Sequence, residues 1–322
     1  MRMTGGAVAA LALIGLAFAS LPAGAQDYPA REIKTICSFA PGTGADIVVR
    51  FYATKMGELA GKPVVTENRP GAQGLLGTEA IARAKNDGYT MAFNPVGSTL
   101  AASQHIFKKL SFDPMKDVES VALMLSTTFV LVVDPKKNIN TVADLTKYLK
   151  EKKETNYGGS TNSGIVASEI YNKAIGVDVK RVNYRSAFDA MNDMSAGNLD
   201  YYFTDATTAI GQIAAGRYKP LATTGAKRSA SFPDLPTMKE LGYDVDLSPF
   251  WGVIVPAGTP QAIKDKLAMW TNKINAMPDT AEFLKKNGLE PLTGDAQMMR
   301  SMIIKDAEHW AKYVRIANIE AQ

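Results

Sequence analysis

The chain has 322 residues, 46% of them hydrophobic, 21% charged and 8% aromatic. That composition excludes a disordered chain, a coiled coil, a collagen-like repeat and a polytopic membrane protein, and leaves room for two modest domains or one large one. A formal net charge of only +4, with no obvious basic cluster, argues against a nucleic-acid partner, and one cysteine excludes an internal disulfide or a Cys-based zinc site.

Residues 1–25 have the marks of a secretory signal. Arg2 is the only charge before Asp27, an apolar run covers 7–18, Pro22 breaks it, and Ala23-Gly24-Ala25 supplies small residues for a peptidase. The run is shorter than the roughly 20 residues of a membrane span. Cleavage after Ala25 and export are expected.

Strands then alternate with helices. A β-rich run over 33–39 ends at Ala40-Pro41-Gly42-Thr43-Gly44, and 46–60 reads as a helix with Ile47, Val48, Phe51, Tyr52, Met56 and Leu59 at three- and four-residue spacings. A strand over 63–67, the turn Asn68-Arg69-Pro70-Gly71, a helix over 75–84 and a strand over 89–93 follow. Short connections between such elements predict a parallel sheet with helices on its faces. After Phe112-Asp113-Pro114 the pattern recurs, with strands over 121–125, 129–133, 179–184, 199–203, 221–224 and 251–255. Helices are expected over 142–150, 165–175, 187–196, 261–277, 281–287 and 296–319. Met299, Ile303, Trp310 and Val314 form a stripe on the last of these, which is assigned to packing. The reading is α/β, in two halves.

Searches for catalytic and metal chemistry find nothing to build on. His105 and His309 have no neighbouring ligand pattern, and Cys37 lies in an apolar strand as a core thiol. Gly158-Gly159-Ser160-Thr161-Asn162 lacks the closing glycine of a nucleophile elbow. Gly42-Thr43-Gly44 lacks the third glycine of a dinucleotide fingerprint, Ile47 standing in its place. No enzymatic centre, metal or cofactor is expected.

Four segments at strand ends favour anions: 40–44, 94–99, 158–163 and 204–208. Ligands of open α/β sheets bind beyond the carboxyl ends of the strands. Glycines there let the backbone approach closely, and the first-turn N–H groups of the next helix are unpaired donors. Each charge-assisted hydrogen bond to a carboxylate is worth about 1.5–3 kcal/mol, with about 0.3–1 kcal/mol more from the helix dipole. Three such bonds suffice for roughly micromolar affinity, about −8 kcal/mol, without an arginine clamp.

Several short motifs occur in order over almost the whole chain after Tyr28-Pro29. They include Phe39-Ala40-Pro41-Gly42 with Asp46, Pro63-Val64-Val65-Thr66-Glu67-Asn68-Arg69-Pro70-Gly71-Ala72, and Asp87-Gly88-Tyr89-Thr90. Ala226-Lys227-Arg228-Ser229, Asp234-Leu235-Pro236-Thr237 and Pro256-Ala257-Gly258-Thr259-Pro260 continue the series. With them the chain resembles the Bug family, the extracytoplasmic solute receptors of tripartite tricarboxylate transporters. The resemblance implies a two-lobed periplasmic binding protein of type II-like α/β architecture, with crossover strands and a ligand cleft between lobes that close like a hinge. Residues 26–104 and 225–322 would form one lobe and 105–224 the other. It implies a small carboxylate as ligand, delivered to membrane permease subunits, or presented to a membrane sensor kinase as the alternative role. The expected receptor is a monomer.

Carried over by position, the ligand residues are Phe39, Ala40, Pro41, Gly42, Thr43, Gly44 and Asp46, then Gly97 and Ser98 on the rim. Gly159, Ser160, Thr161, Asn162, Ser163, Thr204, Asp205 and Phe250 complete the set. Where the family often has Asp, this chain has Thr204, with Asp205 one place later. A one-residue offset in a strand points a side chain to the other face, which favours Thr204 over Asp205 as the contact. Arg185 reads as one half of a structural ion pair, with a second ligand carboxylate as the other possibility. These departures favour a di- or tricarboxylate, or an aromatic one such as terephthalate, over an amino acid.

Overall fold

A computed structural model describes residues 28–316 and Ile319, so the expected signal segment lies outside the described residues. The chain runs β1 (Ile33–Cys37), α1 (Gly44–Ala60), β2 (Val64–Asn68), α2 (Leu75–Ala82), β3 (Thr90–Asn94), a π-helical turn (Gly97–Ala101), α3 (Ser103–Ile106) and β4 (Val118–Thr127). It continues through β5 (Phe129–Val133), α4 (Val142–Glu151), β6 (Asn156–Gly159), α5 (Asn162–Ile175), β7 (Lys180–Asn183), α6 (Ala187–Ser195), β8 (Tyr201–Asp205), α7 (Ala206–Ala214) and β9 (Lys219–Thr223). β10 (Phe250–Pro256), α8 (Gln261–Asn275), α9 (Pro278–Lys286), β11 (Leu289–Pro291) and α10 (Ala296–Ile316) complete it.

Two sheets result, with strand orders β11-β4-β10-β3-β1-β2 and β7-β6-β8-β5-β9. Both are mixed. β1 is parallel to β2 and β3, but β10 returns antiparallel to β3 and β4; β6 is parallel to β7 and β8, but β5 is antiparallel to β8 and β9. The antiparallel strands are those that flank the crossings between the sheets.

The crossings fall later in the chain than the motifs suggest. β4 belongs to the first sheet and β5 to the second, with Thr128 alone between them, so the chain changes lobe there and not at 104/105. The segment 225–249 stays with the second sheet: Met238 N donates to Thr223 O at 2.8 Å and Leu247 N to Thr224 O at 2.9 Å. The return crossing lies at Pro249, whose carbonyl accepts from Thr127 N at 2.9 Å and so ties the two crossing segments together.

α1 shows how the elements find their faces. Thr43 caps its start, and Gly61 ends it in the left-handed region at φ +66°. Its buried face is Val48, Val49, Tyr52, Ala53 and Met56, while Ile47 is exposed, so the stripe is turned relative to the spacing read from sequence. Burying Met56 completely is worth about 1.5–3 kcal/mol. Cys37 is a buried core thiol.

In α10, Met299, Ile303 and Trp310 are buried as the stripe predicts, and Tyr313 takes the fourth place in preference to Val314. Asp306 on the same helix accepts from Trp310 Nε1 at 3.1 Å, and burial pushes its carboxyl up to about 6. The folded protein therefore keeps a proton that the unfolded chain gives up near pH 4, and stability falls as pH rises through this window. Asp306→Asn retains the acceptor for Trp310 and is expected to gain about 1–3 kcal/mol over the parent above pH 7 and almost nothing at pH 4. Urea melts at the two pH values check this; an equal effect at both contradicts it.

Candidate functional site

A cleft lies between the lobes, at the carboxyl ends of β1, β3, β6 and β8. It encloses about 720 Å³ of space between atoms, its mouth included. Four helices start on its wall. Their N-cap residues Thr43 (α1), Thr161 (α5), Ser186 (α6) and Asp205 (α7) all line it, two lobes contributing to one ring. Each cap side chain accepts from one first-turn amide: Gly164 N at 3.2 Å for Thr161, Asp189 N at 3.3 Å for Ser186, Thr208 N at 2.9 Å for Asp205. A cap satisfies one of four orphan N–H groups, and the positive end of the helix dipole remains. The walls between the caps are apolar, with Phe39, Val48, Phe129 and Trp251 among them.

The loop from β1 to α1 is built to hold its shape. Gly42 supplies the φ of +79° that the turn after Pro41 needs. Asp46 fixes the loop from beneath: it accepts from Gly42 N at 2.9 Å, Arg50 Nε at 2.8 Å and Asn68 Nδ2 at 2.7 Å. Burial alone would raise the Asp46 carboxyl, but these donors outweigh it and hold the group below the usual carboxylate range. Thr43 Oγ1 donates to Ala40 O at 2.7 Å, so its hydroxyl hydrogen is already engaged.

Of the residues predicted from sequence, Phe39, Ala40, Thr43, Gly44, Ser98, Ser160, Thr161 and Asp205 line the cleft. Pro41, Gly42 and Asp46 do not line it; Gly42 and Asp46 shape the loop that carries Thr43. Gly97 is packed between the Phe250 ring and Asp306, so Gly97 and Phe250 face away; adjacent strand residues point to opposite faces, and Trp251 is the aromatic that meets the cleft. Gly159 closes β6 one residue short of the wall. Asn162 spans the lobes, its Nδ2 donating to Ser98 O at 2.9 Å, and Ser163 is buried within α5.

Of Thr204 and Asp205, it is Asp205 that lines the cleft. Thr204 sits inside the sheet opposite Val130, 1% exposed, whereas Asp205 is the last residue of β8, where the chain turns out to cap α7. Burial pushes the Asp205 carboxyl up, against the pull of the Thr208 amide. Sequence reasoning missed Tyr202, Thr127, Phe129, Pro249 and Leu289 on the wall. A small-residue search at strand ends does not see them, because they are aromatic, or belong to the crossings and to the three-residue β11. Ser160 Oγ hydrogen-bonds the Tyr202 hydroxyl on the floor.

Across the cleft the lobes touch directly. Gly44 N donates to Thr208 Oγ1 at 3.1 Å, and Thr207 Oγ1 donates to Asn287 O at 2.9 Å. Among the described residues no group of three or more His, Cys, Asp or Glu is placed to hold a metal, and no helix is long and apolar enough to cross a membrane.

Two mixed α/β sheets joined by paired crossings, with helix N-termini ringing the cleft between them, define a two-lobed solute-binding protein. The solved structure of the periplasmic binding protein BugD superposes with a TM-score of 0.86 at 28% identity, covering 92% of this chain and 100% of that one. The adipate complex of Rpa4515 from R. palustris gives 0.87 at 25% identity over 92% and 100%. A UPF0065 protein of Cupriavidus necator, from the gbd 5' region, is 31% identical over 301 residues, 91% of this chain and 89% of that protein. Residues 48–319 match the model of the tripartite tricarboxylate transporter family receptor, and the chain belongs to that family. It is a periplasmic-type solute-binding receptor by family and fold.

Proposed function

We propose that this receptor captures a small carboxylate in the interlobe cleft and delivers it to the permease subunits of a tripartite tricarboxylate-type transporter. The observation that carries this reading is the ring of four helix N-caps, drawn from both lobes, around one apolar-walled cleft. Such a ring favours a compact anion, and its apolar walls favour a hydrocarbon or aromatic body attached to it. Amides from two lobes meeting one ligand give that ligand its means of drawing the lobes together. The relative Rpa4515 was solved with adipate, an acid of this type. Calorimetric titration with linear, aromatic, hydroxylated and amino carboxylates tests the reading. Binding of at least one acid, with no turnover of it, is expected; chemical conversion of a bound acid by the purified protein contradicts a receptor.

A further inference from the structure

Arg185 is the only cation among the described residues that line the cleft, and it makes no hydrogen bond or ion pair with any described residue. The structural ion pair expected of it from sequence does not form, for visible reasons. The nearby carboxylates on α6 are engaged elsewhere: Asp189 accepts from Ser186 Oγ at 3.0 Å and Asp193 accepts from the Tyr184 hydroxyl. Asp205, the one carboxylate on the cleft wall, caps α7 through Thr208 N at 2.9 Å. The guanidinium is thus left exposed at the cleft, beside the N-cap Ser186 and next to the helix that carries Phe188, against which the Gly42 turn of the other lobe packs.

Resting on the carboxylate reading above, we infer that Arg185 is a specificity-determining residue. It meets a second acidic group of the ligand and makes the receptor prefer dianions to monoanions of the same carbon skeleton. Three features of the cleft combine here. The N-cap ring provides for one anionic group with neutral donors. Arg185 is the cation on the wall open to a second, and a planar guanidinium fork matches a carboxylate in two parallel hydrogen bonds. The rest of the wall includes hydrocarbon and aromatic side chains (Phe39, Val48, Phe129, Trp251), which favours an apolar body joining the two acids.

The test pairs acids that differ only in the second carboxylate, adipate with hexanoate and terephthalate with benzoate, titrated into the parent protein, Arg185→Gln and Arg185→Lys. In the parent, at least one dianion should bind about ten-fold or more tighter than its monoanion. Arg185→Gln should weaken that dianion about 10–100-fold and leave the monoanion within about three-fold, and Arg185→Lys should fall between them because it keeps the charge and loses the fork. Since the side chain is exposed, the melting temperature without ligand should not move. An unchanged dianion preference in Arg185→Gln, or equal losses for both acids, overturns the role of Arg185 and leaves the carboxylate reading in place. Failure of the parent to bind any of the four acids overturns this inference; failure across the wider carboxylate panel also overturns the carboxylate reading.

Discussion

Gly44→Ala is expected to weaken ligand capture by about 100-fold or more, some 3 kcal/mol, while the protein without ligand stays as stable as the parent. Gly44 is the first residue of α1, and its amide donates to Thr208 Oγ1 across the cleft at 3.1 Å. A Cβ at this position would fall onto Asp205 Oδ1 and within 2.9 Å of Thr207 Cβ, both on the opposite lobe. The lobes cannot then close to the observed separation. Within its own helix, alanine is better accommodated than glycine by up to about 1 kcal/mol, so nothing in the first lobe is lost. The variant therefore separates closure from folding. Small-angle X-ray scattering with a saturating acid should show the parent compacting and Gly44→Ala staying extended; full compaction and parental affinity in the variant would show that this contact is not part of closure.

Asp200→Ala should do the reverse, costing about 3 kcal/mol or more of stability while the affinity of the remaining folded protein is preserved. Asp200 is fully buried and accepts from Lys137 Nζ at 2.9 Å, Lys152 Nζ at 2.7 Å, the Tyr148 hydroxyl at 2.9 Å and Asn156 N at 2.9 Å. Its removal leaves the Asn156 amide and the Tyr148 hydroxyl without this acceptor and takes the shared counter-ion from Lys137 and Lys152. The site lies at the amino ends of β6 and β8, the opposite edge of the second sheet from the cleft, which is why binding should not follow. Burial would raise the Asp200 carboxyl, but Lys152, the Asn156 amide and Lys137 hold it below its ordinary value. Its contribution is thus present above the unfolded carboxylate range and lost as pH falls through the lower, folded value. Urea melts of parent and variant check both parts: the gap should be wide near neutrality and narrow in acid.

The two halves of the molecule were not equally readable in the sequence. The β1–α1 loop could be read because its causes are local: a β-branched run, a Pro-Gly turn and a capping threonine stand next to one another. The change of sheet at Thr128 could not, because β4 and β5 form one almost continuous run with no Gly or Pro turn between them, and only pairing with β10 and β8 assigns each to its sheet. Phe250 and Trp251 are equally aromatic, so only the strand's register, broken by an irregularity after Trp251, decides which one faces the ligand. Asp205 points away from the cleft only if the strand continues past it, and the turn into α7 instead brings it to the cleft wall. The contact between Gly44 and Thr208 joins residues 164 apart, and no local signal announces it.

A small carboxylate held between the lobes by the N-cap ring should stabilise the folded protein. The most direct measurement is the melting curve of the parent protein against increasing concentrations of the acid that titration identifies. At about 100 times its dissociation constant, a ligand that binds only the folded state should add about 2.7 kcal/mol of stability, and Gly44→Ala should lose most of that gain at the same concentration. If linear, aromatic, hydroxylated and amino carboxylates all leave the parent's melting curve unmoved, the cleft does not bind carboxylates.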